Sequence, residues 1–393
     1  PVPVRPWTVP RSAGWEAPTP PACHPARFGE TSRRVPAGRG TVEGRTTVCR
    51  HLRLASALGS VAREMTDPQA ESRQAGGSDS FSFQHESVMA AEVLDALAPC
   101  PPGPVLDATV GGGGHAALLL DARPDLSVVG LDRDDDALAA SSERLASFGS
   151  RALLHRSAFG ELGPTLDGLG VGPLSGFLFD LGVSSPQIDV ADRGFSYREA
   201  GPLDMRMDRR QPFTADDVVN GYPEADLARL LSENADERHA RRIARSVVAA
   251  RPVRDTAALA DLVRSAIPAP ARRTGGHPAK RTFQAIRIEV NDELGQLAGA
   301  LDEAIGRLRP GGRGAVLSYH SGEDRIVKAR FDHAATGGCA CPSRLPCACG
   351  AVPVATLPRR SARTPASGES ERNPRAASAR LRVLERLDAS GSE

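Results

Sequence analysis

Short apolar runs alternate with amphipathic stretches from about residue 83 onward. The apolar runs have the composition of buried β-strands and fall at residues 105–109, 128–132, 152–155 and 176–181. Apolar positions recur at helical spacing in 86–98 and between the strands, near 114–122, 134–147 and 159–168. Strands separated by single helices of this length predict βαβ units and a parallel sheet.

The alternation stops at residue 190. Residues 190–310 show no clear strand but several helical stretches, with Thr214 and Thr256 as predicted N-caps and one long amphipathic run at 281–309. After a Pro-Gly-Gly turn, the pattern resumes with a strand at 314–319, a helix from about Gly322 and a last strand at 381–387.

This order predicts an α/β fold: a doubly wound, mostly parallel sheet with an inserted all-helical domain. The changes of pattern set the predicted domains, which are a first core part at 83–189, an inserted substrate-recognition domain at 190–310, a second core part at 311–388 with a Cys-rich loop at 339–349, and a tail at 389–393. Residues 361–372 have low complexity.

The first 80 residues are rich in Pro, Gly, Ser and Arg and have no sustained apolar period, which predicts a disordered extension. A basic tail that binds RNA is one alternative, and upstream sequence with Met65 as the real start is another.

The net charge is only +1, so the chain as a whole is not a polycation and any RNA-binding surface must be local. The sequence contains no run of about 18 apolar residues, so we expect no membrane span. Without an apolar signal core or a disulfide framework, we expect a cytoplasmic protein.

A glycine-rich loop follows the first predicted strand. Its sequence runs from Asp107 through Gly111, Gly112, Gly113 and Gly114 to His115. Glycines after a strand permit a tight turn and close approach of the backbone to a ligand, and Asp132, at the end of the next strand, suits a ribose diol. These features alone fit a dinucleotide as well as another nucleoside cofactor.

Asp107 separates the two alternatives. A dinucleotide would place its pyrophosphate over this turn, where a carboxylate repels it. S-adenosylmethionine has no phosphate and carries a cationic amino group and sulfonium, which a carboxylate attracts. Asp107 could also cap the loop through backbone hydrogen bonds. Phe159, after the third strand, could stack on adenine or pack in the core, and Asp180 ends the fourth strand, where ligands of open α/β sheets gather.

Several ordered strings resemble one family, the bacterial 16S ribosomal RNA cytosine-N4 methyltransferases, over roughly residues 83–388. The most specific are DLGVSSPQ at 180–187 and GPLDMRMD at 201–208, accompanied by HESV at 85–88, LDRD at 131–134, RGFS at 193–196, HPAKRTFQA at 277–285, SYHS at 318–321, EDRIVK at 323–328 and NPRA at 373–376. In this sequence Gly322 stands where the family usually has Leu, and Tyr319 where Phe is frequent, a change that we expect to be mild.

The resemblance implies a class I S-adenosylmethionine-dependent methyltransferase core and methylation of the N4 amine of a decoding-centre cytidine within the small ribosomal subunit. The implied cofactor contacts are Gly113, Gly114, His115, Asp132, Phe159, Asp180 and Gln187. Asp180 is the candidate catalytic proton acceptor, with cofactor or loop orientation as its alternative role. A methyltransferase of the same fold acting on DNA cytosine or a small molecule, and a non-catalytic assembly factor, are the competing functions.

Local basic groups are the candidate RNA contacts. They are His277, Lys280, Arg281, His320, Arg325 and Lys328. Each could instead belong to a solvated face, and His320 could cap the helix that follows it. The cluster of Arg206, Arg209 and Arg210 is equally ambiguous. No oligomeric state follows from the sequence; a homodimer is one of the states considered.

The cysteine cluster is left open. Cys339, Cys341, Cys347 and Cys349 could supply four thiolates to zinc, but the C-x-C spacing is tighter than the usual C-x2-C. We therefore assign no metal from the sequence.

Overall fold

The described part of the chain is built around a mixed seven-stranded sheet. The computed structural model describes residues 87–273, 276–342, 348–373 and 375–388. The strand order is β3-β2-β1-β4-β5-β7-β6. The strands are β1 (Gly103–Asp107), β2 (Leu126–Asp132), β3 (Ala152–Arg156), β4 (Leu174–Asp180), β5 (Leu308–Ser318), β6 (Ala355–Thr356) and β7 (Arg380–Arg386). The predicted extension at 1–80 and the tail at 389–393 lie outside the described residues.

Strands β1 to β5 are parallel, whereas β7 runs antiparallel between β5 and β6. The helices are α1 (Ala90–Leu97), α2 (Gly114–Ala122), α3 (Asp135–Leu145), α4 (Leu162–Gly168), α5 (Ser185–Asp189), α6 (Glu224–Ala235), α7 (Ala240–Ala249), α8 (Thr256–Ala266), α9 (Lys280–Asn291), α10 (Glu293–Arg307), α11 (Ser321–Thr336) and α12 (Ser367–Arg372). The chain order reverses between β1 and β4, which is where an open α/β sheet forms its ligand crevice.

Helices cover both faces of the sheet, as its nearly continuous apolar strands require. Helices α4, α10 and α11 pack on one face through residues such as Leu166, Leu301 and Phe331. Helices α1, α2 and α3 pack on the other, with Leu97 and Leu120 fully buried. The predicted doubly wound α/β fold with a helical insertion is therefore confirmed.

The helical insertion has a hydrophobic core of its own. Its buried side chains come from α6, α7, α8 and α9, and from the loop that contains Phe195 and Met205. The predicted boundary at 310 is too late, because α10 buries Leu297 and Leu301 against the sheet. The predicted single helix at 281–309 is also broken: Asp292 has φ 48° and separates α9 from α10. A left-handed residue at this point ends one helix and redirects the next.

Two further local predictions change. Asp255, not Thr256, caps α8, since its carboxylate accepts the amide of Ala258 at 2.8 Å. The hydroxyl of Thr256 instead bonds the loop at the start of the insertion, donating to the carbonyl of Glu199 and accepting from the amide of Gly201. The predicted low-complexity stretch at 361–372 contains α12. Among the described residues, no helix has the length and apolarity of a membrane span.

Candidate active site

Three carboxylates lie at the carboxyl ends of three neighbouring strands. Asp107 ends β1, Asp132 ends β2 and Asp180 ends β4, and β1 lies between the other two. Parallel pairing places these ends at one edge of the sheet, on either side of the point where the chain order reverses. The site predicted from three separate strings is therefore brought together by the fold.

The glycine loop forms the floor between β1 and α2. Gly111 and Gly113 have φ 50° and 74°, which are conformations that favour glycine. A Cβ atom at Gly112 would meet nothing within 4 Å, so this part of the backbone is open to a ligand. A side chain at Gly114 would instead collide with the hydroxyl of Ser87. Gly114 thus packs closely against Ser87, and its predicted contact with a cofactor stays a prediction.

Asp132 is fixed by the loop that it faces. Its Oδ2 accepts the amide of Gly111 at 2.9 Å, and its Oδ1 accepts the amide of Asp134 at 2.9 Å. Burial raises the pKa of Asp132 to about 6, although these amides favour the ionised form. The carboxylate is therefore held in one orientation at the end of β2, as a ribose-binding acid would have to be.

Asp107 is a buried acid, and few interactions offset the cost of burying its carboxylate. In the described part of the chain its carboxylate accepts one hydrogen bond, from the amide of Thr109 at 3.3 Å. Burial raises its pKa to about 7, in spite of the favourable charge of His115, and the charges of Asp180 and Asp132 act in the same direction as burial. A cation placed beside Asp107 would offset this cost, because it would favour the ionised carboxylate.

Asp180 is held from three sides. The hydroxyl of Tyr319 donates to its Oδ1 at 2.6 Å, and Nε2 of His115 lies 3.5 Å from its Oδ2. The amide of Asp180 donates to the hydroxyl of Thr109 at 2.7 Å. Its side chain is still 27% exposed, so the carboxylate can be reached from the crevice. Sequence reasoning identified Asp180 and His115 but missed Tyr319 and Thr109.

His115 is buried beside two acids. Its side chain is 7% exposed. Burial opposes its protonation, but the neighbouring carboxylates of Asp180 and Asp107 outweigh burial, and the pKa of His115 is raised. Glu369, from α12, acts in the same direction. Neighbouring carboxylates that favour the protonated imidazole agree better with a loop-ordering role for His115 than with a general base.

The other two predicted cofactor residues have different surroundings. Phe159 lies just after β3, partly buried, with its ring 6.1 Å from that of Phe179 in an edge-to-face arrangement. Gln187 is buried, and both ends of its amide have protein partners: it donates to Asp134 at 2.7 Å and accepts from the amide of Ser184 at 3.1 Å. Gln187 thus orders the loop after β4, and its direct contact with a cofactor stays a prediction.

Ion pairs fasten the loop at the start of the insertion to the same edge of the sheet. Arg193 is 3% exposed and pairs with Asp134 at 2.7 Å. Arg156, at the end of β3, pairs with Asp208, and Arg210 pairs with Asp135 at 2.7 Å. A buried charge pair of this kind is costly to break, so Arg193 fixes how the loop is placed.

Two of the ambiguous arginines, Arg206 and Arg210, form ion pairs within the protein. Arg206 pairs with Asp204 at 2.7 Å, and Arg210 pairs with Asp135.

Asn291, which sequence reasoning missed, completes this attachment. Its side-chain amide donates to the carbonyl of Met205 at 2.8 Å and accepts from the amide of Met207 at 2.8 Å. Its own carbonyl accepts from Arg133 at 2.7 Å. Asn291 therefore fastens the GPLDMRMD string to the end of α9 and, through Arg133, to the residue that follows β2.

The candidate RNA contacts fall into two places. His277 stacks on Tyr197, with ring centroids 4.5 Å apart, and burial together with Arg198 and Arg264 lowers its pKa. Lys280 and Arg281 begin α9, where Arg281 donates to the carbonyl of Asp236. The carboxylate of Asp236 accepts from the hydroxyl of Ser321, the first residue of α11.

Asp236 therefore joins the start of α9 to the start of α11. Arg325 lies one helical turn after Ser321 and Lys328 two turns after it, so all three share a face of α11. Both basic side chains are exposed. The structure thus brings two sequence-distant basic segments to the same end of the sheet, which the sequence alone did not predict.

His320 is the N-cap of α11. Glu323 Oε2 accepts the amides of Tyr319 at 2.7 Å and His320 at 3.3 Å, and the imidazole of His320 lies 3.1 Å from Glu323 Oε1. Of the two roles open for His320, the structure supports helix capping. The same capping box gives α11 a firm start despite Gly322, whose Cβ position faces the His320 ring.

The residues present fit S-adenosylmethionine. The crevice combines an open glycine backbone, a fixed acid at the end of β2 and a buried, poorly compensated acid at the end of β1. Such a site favours a cationic nucleoside and disfavours a pyrophosphate.

Comparison with known proteins identifies the family. The family model described as the MraW methylase family matches residues 82–387. The ribosomal RNA small subunit methyltransferase H of Symbiobacterium thermophilum is 49% identical over 314 residues, 79% of this chain and 98% of that protein. The proteins of the same name from Geobacter sulfurreducens and Thermobifida fusca are each 50% identical, over 78% and 77% of this chain and 100% and 93% of theirs.

Among solved structures, an rRNA methylase from Streptococcus thermophilus has 15% identity and a TM-score of 0.33, covering 76% of this chain and 96% of that one, which is too distant to support any conclusion. The family match and these relatives confirm the predicted enzyme class, an S-adenosylmethionine-dependent methyltransferase. The chain belongs to the MraW methylase family.

Proposed function

We propose that this chain methylates the N4 amine of a cytidine in the decoding centre of 16S ribosomal RNA. The observation that carries the proposal is the carboxylate of Asp180, which is held by Tyr319 and His115 at the carboxyl edge of the sheet and remains accessible. The name of the relatives, ribosomal RNA small subunit methyltransferase H, supports the choice of substrate. A cytoplasmic location is part of the proposal, because ribosomal subunits assemble there.

The chemistry demands positioning above all. The exocyclic amine of cytosine is a weak nucleophile, because its lone pair is delocalised into the ring. When bound, S-adenosylmethionine supplies the methyl group as an electrophile on its sulfonium. The protein must hold the amine in line with that methyl and exclude competing geometries.

Asp180 supplies an acceptor for the amine. Its carboxylate can polarise one N–H of the amine and receive a proton as the new bond forms. Tyr319 occupies Oδ1, and His115 lies on the side of Oδ2, so the carboxylate cannot rotate freely. The side chain is nevertheless 27% exposed, so a base can reach the carboxylate from the crevice.

The basic groups at the starts of α9 and α11 would bind phosphates around the target. Lys280, Arg281, Arg325 and Lys328 could position the RNA without selecting its sequence. A base in folded RNA has to be unpaired or flipped to reach Asp180. The stacked pair of Tyr197 and His277, in a cleft of about 330 Å³ that Arg198 and Arg264 also line, offers an aromatic surface for a neighbouring base.

The test uses small subunits from a strain that lacks the gene. Incubation with the purified chain and methyl-labelled cofactor should label one cytidine, and nuclease digestion with mass spectrometry should place the label on N4. Subunits from the parent strain, already methylated, serve as the control and should accept no label. Transfer to DNA or to a small molecule, or no transfer with tight subunit binding, would replace the proposal by one of the competing functions.

A further inference from the structure

The segment after α11 contains a cluster of thiols that the methyltransferase chemistry does not use. The Sγ atoms of Cys339, Cys341 and Cys349 all lie within 4.8 Å of one another. We propose that these three residues bind a structural zinc ion. The proposal is independent of the substrate, and the sequence left it open because C-x-C spacing is unusual.

The distances suit a tetrahedral thiolate site. Zinc–sulfur bonds of about 2.3 Å at tetrahedral angles place sulfur atoms roughly 3.8 Å apart. The three sulfurs therefore need only small side-chain rotations to meet one ion. Cys347, the remaining cysteine of the segment, lies outside the described residues, and the proposed site does not depend on it.

Backbone geometry explains how C-x-C spacing can converge here. Gly337 and Gly338 have φ 60° and 75°, and Gly350 has φ 68°, so the chain turns sharply on both sides of the cysteines. A Cβ atom at Gly337 would overlap the backbone of Val352 at 2.5 Å, and one at Gly338 would meet the ring of His333 at 2.8 Å. The two arms of the loop are therefore pressed together where the thiols meet.

Hydrogen bonds hold both arms at the end of α11. The amide of Cys339 donates to the carbonyl of Thr336 at 3.1 Å, and the amide of Val354 donates to the carbonyl of Ala334 at 2.9 Å. Between these points the described residues are mostly exposed, with the side chain of Val352 71% exposed. Apolar burial cannot supply the stability of this loop, whereas a metal cross-link can.

The site lies far from the chemistry. Helix α11 begins at the carboxyl edge of the sheet and has 16 residues, so its end is about 24 Å away. Zinc at that distance contributes to the fold of the loop and not to methyl transfer. Soft thiolate ligands in tetrahedral geometry favour zinc or iron–sulfur clusters. Three closely spaced thiolates with exposed surroundings fit a single zinc ion better than a cluster.

The first experiment measures metal in the full-length chain, purified under reducing conditions. Elemental analysis should find about one zinc per chain. Cys339→Ser and Cys341→Ser should each lower it below about 0.2. Cys100→Ala is the matched control, since Cys100 is buried against the sheet and is not one of the three grouped thiols, and it should retain full zinc.

A second measurement avoids the risk that the variants misfold. After chelation of the unmutated chain, added cobalt(II) should give the strong near-ultraviolet absorption of thiolate coordination, and zinc should suppress alkylation of the three cysteines in mass spectra. The affinity for S-adenosylmethionine should stay within about twofold after chelation. Absence of zinc from the unmutated chain, iron or copper in its place, a disulfide among the three, or full zinc in Cys339→Ser would each overturn the proposal.

Discussion

The hydroxyl of Tyr319 donates a 2.6 Å hydrogen bond to Oδ1 of Asp180, although the two residues are 139 positions apart. The pairing is possible because β4 and β5 are neighbours in register, with Asp180 opposite Leu317. Tyr319 lies two residues beyond that position, so its side chain reaches back to the end of β4. The change from a frequent Phe, which the sequence suggested to be mild, thus adds a direct partner to the candidate catalytic acid.

Tyr319→Phe should therefore slow methyl transfer. Loss of one hydrogen bond to a charged group, worth about 2 kcal/mol, should lower the single-turnover rate about thirtyfold. The affinity for S-adenosylmethionine, measured by calorimetry, should remain within about twofold. Tyr222→Phe is the matched control, because its hydroxyl also donates to a carboxylate, that of Glu289 at 2.8 Å, but within the insertion. Equal losses in both variants would contradict a specific role for Tyr319.

Asp180→Asn should separate catalysis from cofactor binding. The amide keeps the shape of the carboxylate but accepts a proton far less readily, so turnover should fall at least about a hundredfold. Cofactor affinity should be roughly kept, as judged by equilibrium dialysis. A collapse of cofactor binding with normal folding would show that Asp180 orients the ligand instead. Asp167→Asn, exposed at the far edge of the sheet, is the control for a neutralised acid.

Asp107→Asn should stabilise the chain without cofactor and weaken cofactor binding. An unfolded Asp ionises near pH 4, but burial raises the folded pKa of Asp107 to about 7. The folded state therefore binds the extra proton between these values, and the free energy of unfolding falls as pH rises from about 4 to about 7. At pH 8 the variant should be more stable by on the order of a few kcal/mol, because a buried charge is removed.

Denaturant titrations at pH 5 and pH 8 check this prediction. The loss of stability between the two pH values should shrink in Asp107→Asn but persist in Asp125→Asn, which replaces an exposed acid. In the unmutated chain, affinity for the cationic cofactor should fall as pH drops below about 7, by at most about tenfold per pH unit. A pH-independent affinity, or an unchanged slope in Asp107→Asn, would contradict the assignment of Asp107 as the buried acid of the cofactor site.

Arg325→Ala and Lys328→Ala should each weaken binding to small subunits. If each side chain contacts a phosphate, the slope of log affinity against log salt should decrease by about 0.7 to 0.9 per variant. Arg307→Ala is the control, since Arg307 lies at the opposite edge of the sheet beside the start of β5. Unchanged affinity and salt slope in both α11 variants would exclude this face from the RNA-binding surface.

The sequence by itself determined the local features of the site. The alternation of strand and helix predicted the sheet, and the positions just after strands identified Asp107, Asp132 and Asp180. These features can be predicted because turns, glycine conformations and strand ends depend mainly on residues that are neighbours in the chain. The ordered strings then indicated the family, which comparison with relatives confirmed.

Only the tertiary structure decided how these parts are joined. The partner of Asp180 comes from Tyr319, the end of the insertion is set by the left-handed Asp292, and Asp236 brings α9 and α11 together. Each depends on contacts between residues far apart in sequence, and no local pattern encodes them. The cysteines behave likewise: their spacing left metal binding open, and the convergence of three sulfurs appears only when the loop closes on the end of α11.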